Sequence, residues 1–238
     1  MHPVLSKQIF PDFFTGIGYA LDYHWDVEQD KKDPFKPTDF EKYGLKNQSV
    51  SSGLIFNFLY NNRRNSINPK GGFYANINYR SNLKDLGSHQ NYQTITFDFR
   101  KYIRFSKRSN NVLALWSYTW LTLDGNPPYL DLPSTGWDAN GSTGRGYGQG
   151  RFRGKHMIYF EAEYRFGITK NGLLGGVVFA NTESFSEWPT NKIKTTKPAI
   201  GAGIRIKANK RSDTNLTIDY GFGTGGSRGL FIGICELF

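Results

Sequence analysis

Cysteine is almost missing from this chain. Cys235 stands alone among 238 residues, which excludes an intramolecular disulfide and any zinc cluster built on thiolates. The four histidines, His2, His24, His89 and His156, lack metal-ligand spacing, so neither a metal nor a cofactor is expected. No apolar run approaches the ~18 residues that a membrane helix requires, which excludes a helical membrane protein. No helical periodicity outlasts a turn, and there is no heptad, sequence repeat or linker. Met1-His2-Pro3 is not followed by a basic segment and an apolar stretch, so no signal peptide is read there. No nucleophile motif accompanies His24 or His156, so no catalytic residue is assigned and the chain is not expected to be an enzyme.

Aromatic residues and glycine are abundant. Nineteen Phe, 14 Tyr and 27 Gly are a β-rich signature. Thirty Lys and Arg against 20 Asp and Glu give a net charge of +10, read here as solvated turns. A single run, Arg145-Gly146-Tyr147 followed by Arg151-Phe152-Arg153-Gly154, is weak support for nucleic-acid binding, and no nucleic-acid partner is expected.

The clearest pattern begins at Ile158. Ile158, Phe160, Ala162, Tyr164 and Phe166 alternate with Tyr159, Glu161, Glu163 and Arg165. Successive strand residues point to opposite faces, so one face is apolar and the other carries two carboxylates and a guanidinium. Comparable segments are expected at Phe13 to Val27, Leu54 to Tyr60, Phe73 to Arg80, Ile95 to Tyr102, Leu173 to Phe185, Ile200 to Lys207, Leu216 to Gly221 and Leu230 to Phe238. Val112 to Leu123 is ambiguous, because Trp116, Tyr118 and Trp120 oppose Leu113, Leu115 and Leu121. The strands run about ten residues or more, against roughly five or six in soluble sheets. Connections alternate between long and short, long ones following the first, third, fifth and seventh strands, and Lys107 to Asn110 reads as a tight turn. Membrane barrels show both features. The expected fold is all-β, an antiparallel transmembrane β-barrel of about ten strands forming one domain over residues 1–238. Residues 1–12 are an N-terminal segment, and residues 124–155 a long loop directed into the lumen. Phe160→Arg is expected to place a charge in lipid, and Glu161→Arg to be milder.

Several motifs, in order, resemble the outer-membrane assembly-factor superfamily, the bacterial surface antigen family that includes BamA-type insertases and two-partner secretion translocators. Arg145-Gly146-Tyr147 resembles its Arg-Gly-Phe/Tyr loop, and Glu163-Tyr164-Arg165 closes a strand similar to its next one. Asn61-Asn62-Arg63-Arg64 with Asn68-Pro69-Lys70-Gly71 resembles its Asp-x-Arg turn followed by Pro-x-x-Gly. Thr217 to Gly221 and Gly233 to Phe238 look like its last two strands. The resemblance implies that the loop folds into the barrel, with Arg145 meeting inner-wall partners among Glu161, Glu163, Asn181 and Asp219. Asn181 stands where the family's Phe-x-Asp-x-Gly motif has its carboxylate, and an amide bonds to the guanidinium without neutralising it. Phe238 matches the family's C-terminal targeting signal.

The same resemblance implies the bacterial outer membrane as location, with lipids and lipopolysaccharide as partners. Unfolded outer-membrane or secreted proteins are its expected clients, in an accessory role in membrane-protein insertion or secretion. The family's periplasmic domains have no counterpart here, and about six strands of a full family barrel are lacking. A reduced barrel, a half that pairs with a second copy or a partner barrel, and the C-terminal piece of a larger translocator all fit. A passive pore is the alternative function, its ion preference set by Asp98, Arg100, Arg104, Arg205 and Lys207. The seam between Phe13–Val27 and Leu230–Phe238 is the expected weak point.

Overall fold

The structure is a computed structural model that describes residues 1–28, 38–44, 46–105 and 111–238. The turn expected at Lys107 to Asn110 lies outside the described residues, as does part of the polar segment after Val27. Eleven strands form one antiparallel sheet in sequence order: β1 (Val4–Phe10), β2 (Phe13–His24), β3 (Ser49–Asn61), β4 (Gly72–Asn82), β5 (Tyr92–Arg104), β6 (Val112–Gly125), β7 (His156–Gly167), β8 (Leu174–Glu187), β9 (Lys192–Asn209), β10 (Thr214–Gly223) and β11 (Arg228–Ile234). A five-residue helix, α1 (Asp39–Tyr43), sits between β2 and β3 and is capped by Thr38 and Glu41.

Each residue's neighbours across the sheet share its face, so the period-2 pattern of one strand propagates to the next. Phe160 pairs with Ser117 on β6 and Thr182 on β8, whereas Glu161 pairs with Trp116 and Asn181. The convex face is apolar and bare: Ile17, Phe160, Ile200 and Ile232 are all more than half exposed. The concave face buries Arg100, Glu161, Glu163, Arg165, Asn181, Arg205 and Asp219. That is a protein turned inside out relative to a water-soluble one, and it requires lipid on the outside.

The sheet curls until distant turns touch. In the β3–β4 connection, Asn65 Nδ2 donates to Ser212 O and Asn68 Nδ2 to Asp213 O, each at 3.3 Å. Lys70 Nζ lies 2.6 Å from an Asp213 carboxylate oxygen. These contacts join the β3–β4 end to the β9–β10 turn. The outer strands β1 and β11 are each paired on one side only. All neighbours are antiparallel, so these two odd-numbered edges run in the same direction.

The expected antiparallel sheet of about ten strands is present, and three other expectations need correction. The count is eleven, because Val4–Phe10 forms an edge strand within the segment set aside as residues 1–12. Ser6, Lys7 and Gln8 dilute its pattern, and its place is fixed by backbone pairing to β2. The first edge is therefore β1, not Phe13–Val27. The connection after β8 is short: β9 begins at Lys192 and runs for 18 residues, its first half too polar to read as a strand. Finally, β11 ends at Ile234. Cys235 adopts a positive φ of 79°, and the tail turns inward instead of continuing to Phe238. Its course is held by Glu236 N donating to Ile67 O at 3.1 Å.

The ambiguous strand resolves with its tryptophans inward. Trp116, Tyr118 and Tyr159 form a buried aromatic cluster with Tyr102, Met157, Phe185 and Phe238, while Leu115 faces outward. Beside this packed region is an interior cavity of about 570 Å³, bordered by Asn76, Asn78, Asp98, Arg100, Tyr118 and Trp137 among others.

Candidate functional site

The connection between β6 and β7 supplies the site. Its outer part is stapled by a bridge between Ser134 and Arg153 and by paired bonds between Thr135 and Phe152, the Thr135 N to Phe152 O bond being 3.0 Å. Asp138 Oδ1 accepts from Ser142 N and Thr143 N at 2.8 Å each. This local capping folds the segment without help from the sheet. Residues 142–147 then run buried along the concave wall.

Gly146 sits at φ 108°, a conformation that glycine alone adopts readily. It is pressed against the wall, where a Cβ would lie 2.8 Å from Ala199 Cβ. Opposite it, a Cβ on Gly221 would reach 2.7 Å from Gly146 N. Tyr147 completes the seat, its hydroxyl donating to Pro198 O at 2.6 Å and accepting from Thr224 N at 2.9 Å. Asn181 Nδ2 donates to Arg145 O at 2.9 Å. The amide thus holds the loop's backbone and leaves the guanidinium to others.

Arg145 is fully buried. Its Nη1 donates to Asp219 Oδ2 at 2.7 Å, and its Nη2 donates to Glu161 and Glu163. The face of the guanidinium lies 3.6 Å from the centre of the Phe179 ring, a cation–π contact. Burial disfavours the charged form, and the three surrounding carboxylates offset that cost.

These contacts belong to a closed ring of alternating charge. From Arg145 the ring passes to Glu163, whose second oxygen lies 2.6 Å from Arg165 Nη2. It continues from Arg165 to Glu236 at 3.6 Å, and from Glu236 to Arg205 at 2.8 Å. Arg205 Nη2 then meets Asp219 Oδ2 at 3.2 Å, and Asp219 returns to Arg145. Three cations and three anions thereby connect the loop, β7, β9, β10 and the C-terminal tail. Glu161 attaches as a fourth carboxylate and accepts from the Tyr159 hydroxyl. Burying so many charges is costly unless each has close partners of opposite sign; here each ring member has two within ion-pair distance, and only the Arg165–Glu236 pair is too long for a hydrogen bond.

Of the residues read from the sequence, Arg145, Glu161, Glu163 and Asp219 meet through side chains, and Asn181, Gly146 and Tyr147 fix the loop backbone. Phe238 lies elsewhere, buried against Trp116 with ring centres 5.0 Å apart, its carbonyl accepting from Arg165 Nη2 at 3.0 Å. Arg165, Arg205 and Glu236 were not assigned to the site. Parity held a signal: with Leu230, Ile232 and Ile234 outward, an unbroken strand would aim Glu236 into lipid.

A second cluster was also missed, at the loop's outer edge. Asp131 lies 3.0 Å from His24 Nε2, accepts from Tyr92 OH at 3.2 Å and accepts from Ser51. It anchors the start of the loop to β2, β3 and β5. Ser51 donates to the carboxylate and not to the histidine, so this is no nucleophilic triad.

Comparison with known proteins gives a consistent result. The Omp85 superfamily domain matches residues 14–225. Among solved structures, the chain is similar to BamA from Haemophilus ducreyi lacking POTRA domains 1–3, with a TM-score of 0.71 and 17% identity over 98% of this chain. The match spans 53% of that chain, so the present chain covers about half of its length. No curated protein matches.

Proposed function

Because the chain belongs to the Omp85 superfamily, we propose that it resides in the bacterial outer membrane and serves as an accessory in membrane-protein insertion or protein secretion. The observation that carries this reading is the loop lodged inside the curled sheet, its Arg145 bound to Glu161, Glu163 and Asp219. A plugged interior suits a wall that acts on clients better than it suits an open conduit. The clients are unfolded outer-membrane or secreted chains, and the surroundings are outer-membrane lipids and lipopolysaccharide. A homodimer or a partner barrel is the proposed source of strands for the unpaired edges β1 and β11. Phe238, buried in the folded state, acts as a targeting signal only while the tail is unfolded.

A passive pore is the second reading, favoured by the polar interior cavity of about 570 Å³. Planar-bilayer recordings of the wild type and Arg145→Ala separate the two. A plug predicts low conductance that rises when its anchor is removed, together with faster insertion of an unfolded barrel protein into vesicles bearing the wild-type chain. High wild-type conductance that Arg145→Ala leaves unchanged, with no effect on insertion, establishes the pore.

A further inference from the structure

The outer wall carries a groove where the sheet should be most uniform. On β6, β7 and β8 the lipid-facing Ser117, Ala162, Ala180 and Thr182 are small and lie around the taller Phe160, with Phe99 and Leu115 on the side toward β5. The depression measures about 530 Å³ and is almost wholly apolar, the right lining for a hydrocarbon chain.

One end of the groove is marked by a cation. Lys101 shares the outward face with Phe99 and Ile103, and its cross-strand neighbours on that face, Phe73 and Leu115, are apolar. Its ammonium lies 5.9 Å from the centre of the Phe73 ring, and no ion pair among the described residues includes it. The next outward row toward the strand end holds Ile103, Leu113 and Tyr164. There the Tyr164 hydroxyl accepts from Asn111 Nδ2 at 2.8 Å, the amphipathic arrangement of a membrane-interface girdle. Lys101 thus sits one row inside that girdle. A lysine stem reaches such a distance by snorkelling, but the charge must find an anion at the surface.

We propose that this groove seats one acidic glycerophospholipid, an acyl chain lying on Ser117, Ala162 and Ala180 and the headgroup phosphate meeting Lys101. The size of the floor residues and the placement of the charge serve the same molecule. A neutral lipid would fill the groove and leave the ammonium unmatched. A soluble phosphate would meet the ammonium and leave the groove empty. The inference rests on the membrane-spanning reading of the fold, and is independent of whether the protein inserts clients or conducts ions.

Native mass spectrometry of the detergent-extracted protein, equilibrated with equal amounts of phosphatidylglycerol and phosphatidylcholine of identical acyl chains, tests it. One tightly retained phosphatidylglycerol is expected, favoured about fivefold over phosphatidylcholine, the preference that one interfacial lysine confers. Lys101→Gln should abolish the preference, and Ala180→Leu or Thr182→Leu should reduce retention of both lipids by filling the groove. Heat-shifted gel mobility confirms that each variant is folded. Excess inorganic phosphate should displace nothing. Equal retention of both lipids by the wild type, an unchanged preference in Lys101→Gln, displacement by phosphate, or retention of lipid A in place of phosphatidylglycerol each overturns the proposal. Because conductance and client insertion do not depend on Lys101, loss of lipid preference with those readouts intact separates this inference from the proposed function.

Discussion

At the scale of single residues, the interior is governed by charge complementarity under burial. Removing one member of a buried ion cluster strands its partners, at a typical cost of about 3–5 kcal/mol. Arg145→Ala should therefore lower stability by about that amount and expose residues 126–155 to limited proteolysis, as urea titration of the folded barrel will check. Asp213 behaves differently, because it lies in the β9–β10 turn, partly exposed. Burial alone would raise its pKa, but Lys207 and Lys70 hold it below the ordinary carboxylate value. A depressed folded pKa contributes stability above the unfolded value of about 4, and loses it as pH falls through the folded value. Acid titration should show this loss below about pH 4, amounting to less than ~1 kcal/mol at so exposed a site, and Asp213→Asn should remove it. The inward face of Glu161 and Glu163 was legible because they alternate with apolar residues on one strand, whereas their pairing with Arg145, like that of Asp219, was implied by the family resemblance. The ring as a whole was not legible, since Glu236 enters it through a turn at Cys235 that no local pattern announces.

At the scale of elements, each strand is a two-sided surface, and the side decides the outcome of a substitution. Phe160→Arg places a guanidinium among acyl chains and should cost roughly 2–4 kcal/mol near the bilayer midplane, measured as lost heat-shifted mobility after folding into vesicles. Glu161→Arg does not serve as its mild counterpart. Glu161 is buried against Arg145, so the exchange would set two guanidinium groups against each other and should also disrupt folding. The tolerant comparison is Asn76→Arg, whose side chain borders the interior cavity. Gly146→Ala should weaken loop docking by roughly 1–3 kcal/mol, because it pairs a positive φ with a clash against Ala199; protease sensitivity of the loop reports it. Regular alternation exposed most of the strands. It failed for β1 and for the first half of β9, where polar side chains occur on both faces and backbone pairing alone sets the structure. It was also silent on which face of β6 looked inward. Both are apolar there, and the choice depends on Phe238 and Tyr159 arriving to pack against Trp116.

At the scale of the whole molecule, the sheet is a wall with a direction. Its two longest connections, after β2 and β6, lie at the same end, and the lodged loop descends from there. If the loop is a plug, removing residues 136–148 should raise single-channel conductance beyond Arg145→Ala, while the exposed outer face should leave partition into vesicles unaltered; vesicle flotation and bilayer recording check the two halves. The parity of the edges has a further consequence for assembly. Two copies joined through the same edge strand by ordinary antiparallel pairing would be related by a twofold axis lying in the bilayer plane, with one of them upside down. Upright neighbours can meet only by setting β11 of one beside β1 of the other in the rarer parallel register. Any symmetric closure between upright copies is thereby restricted to a rotation about the membrane normal.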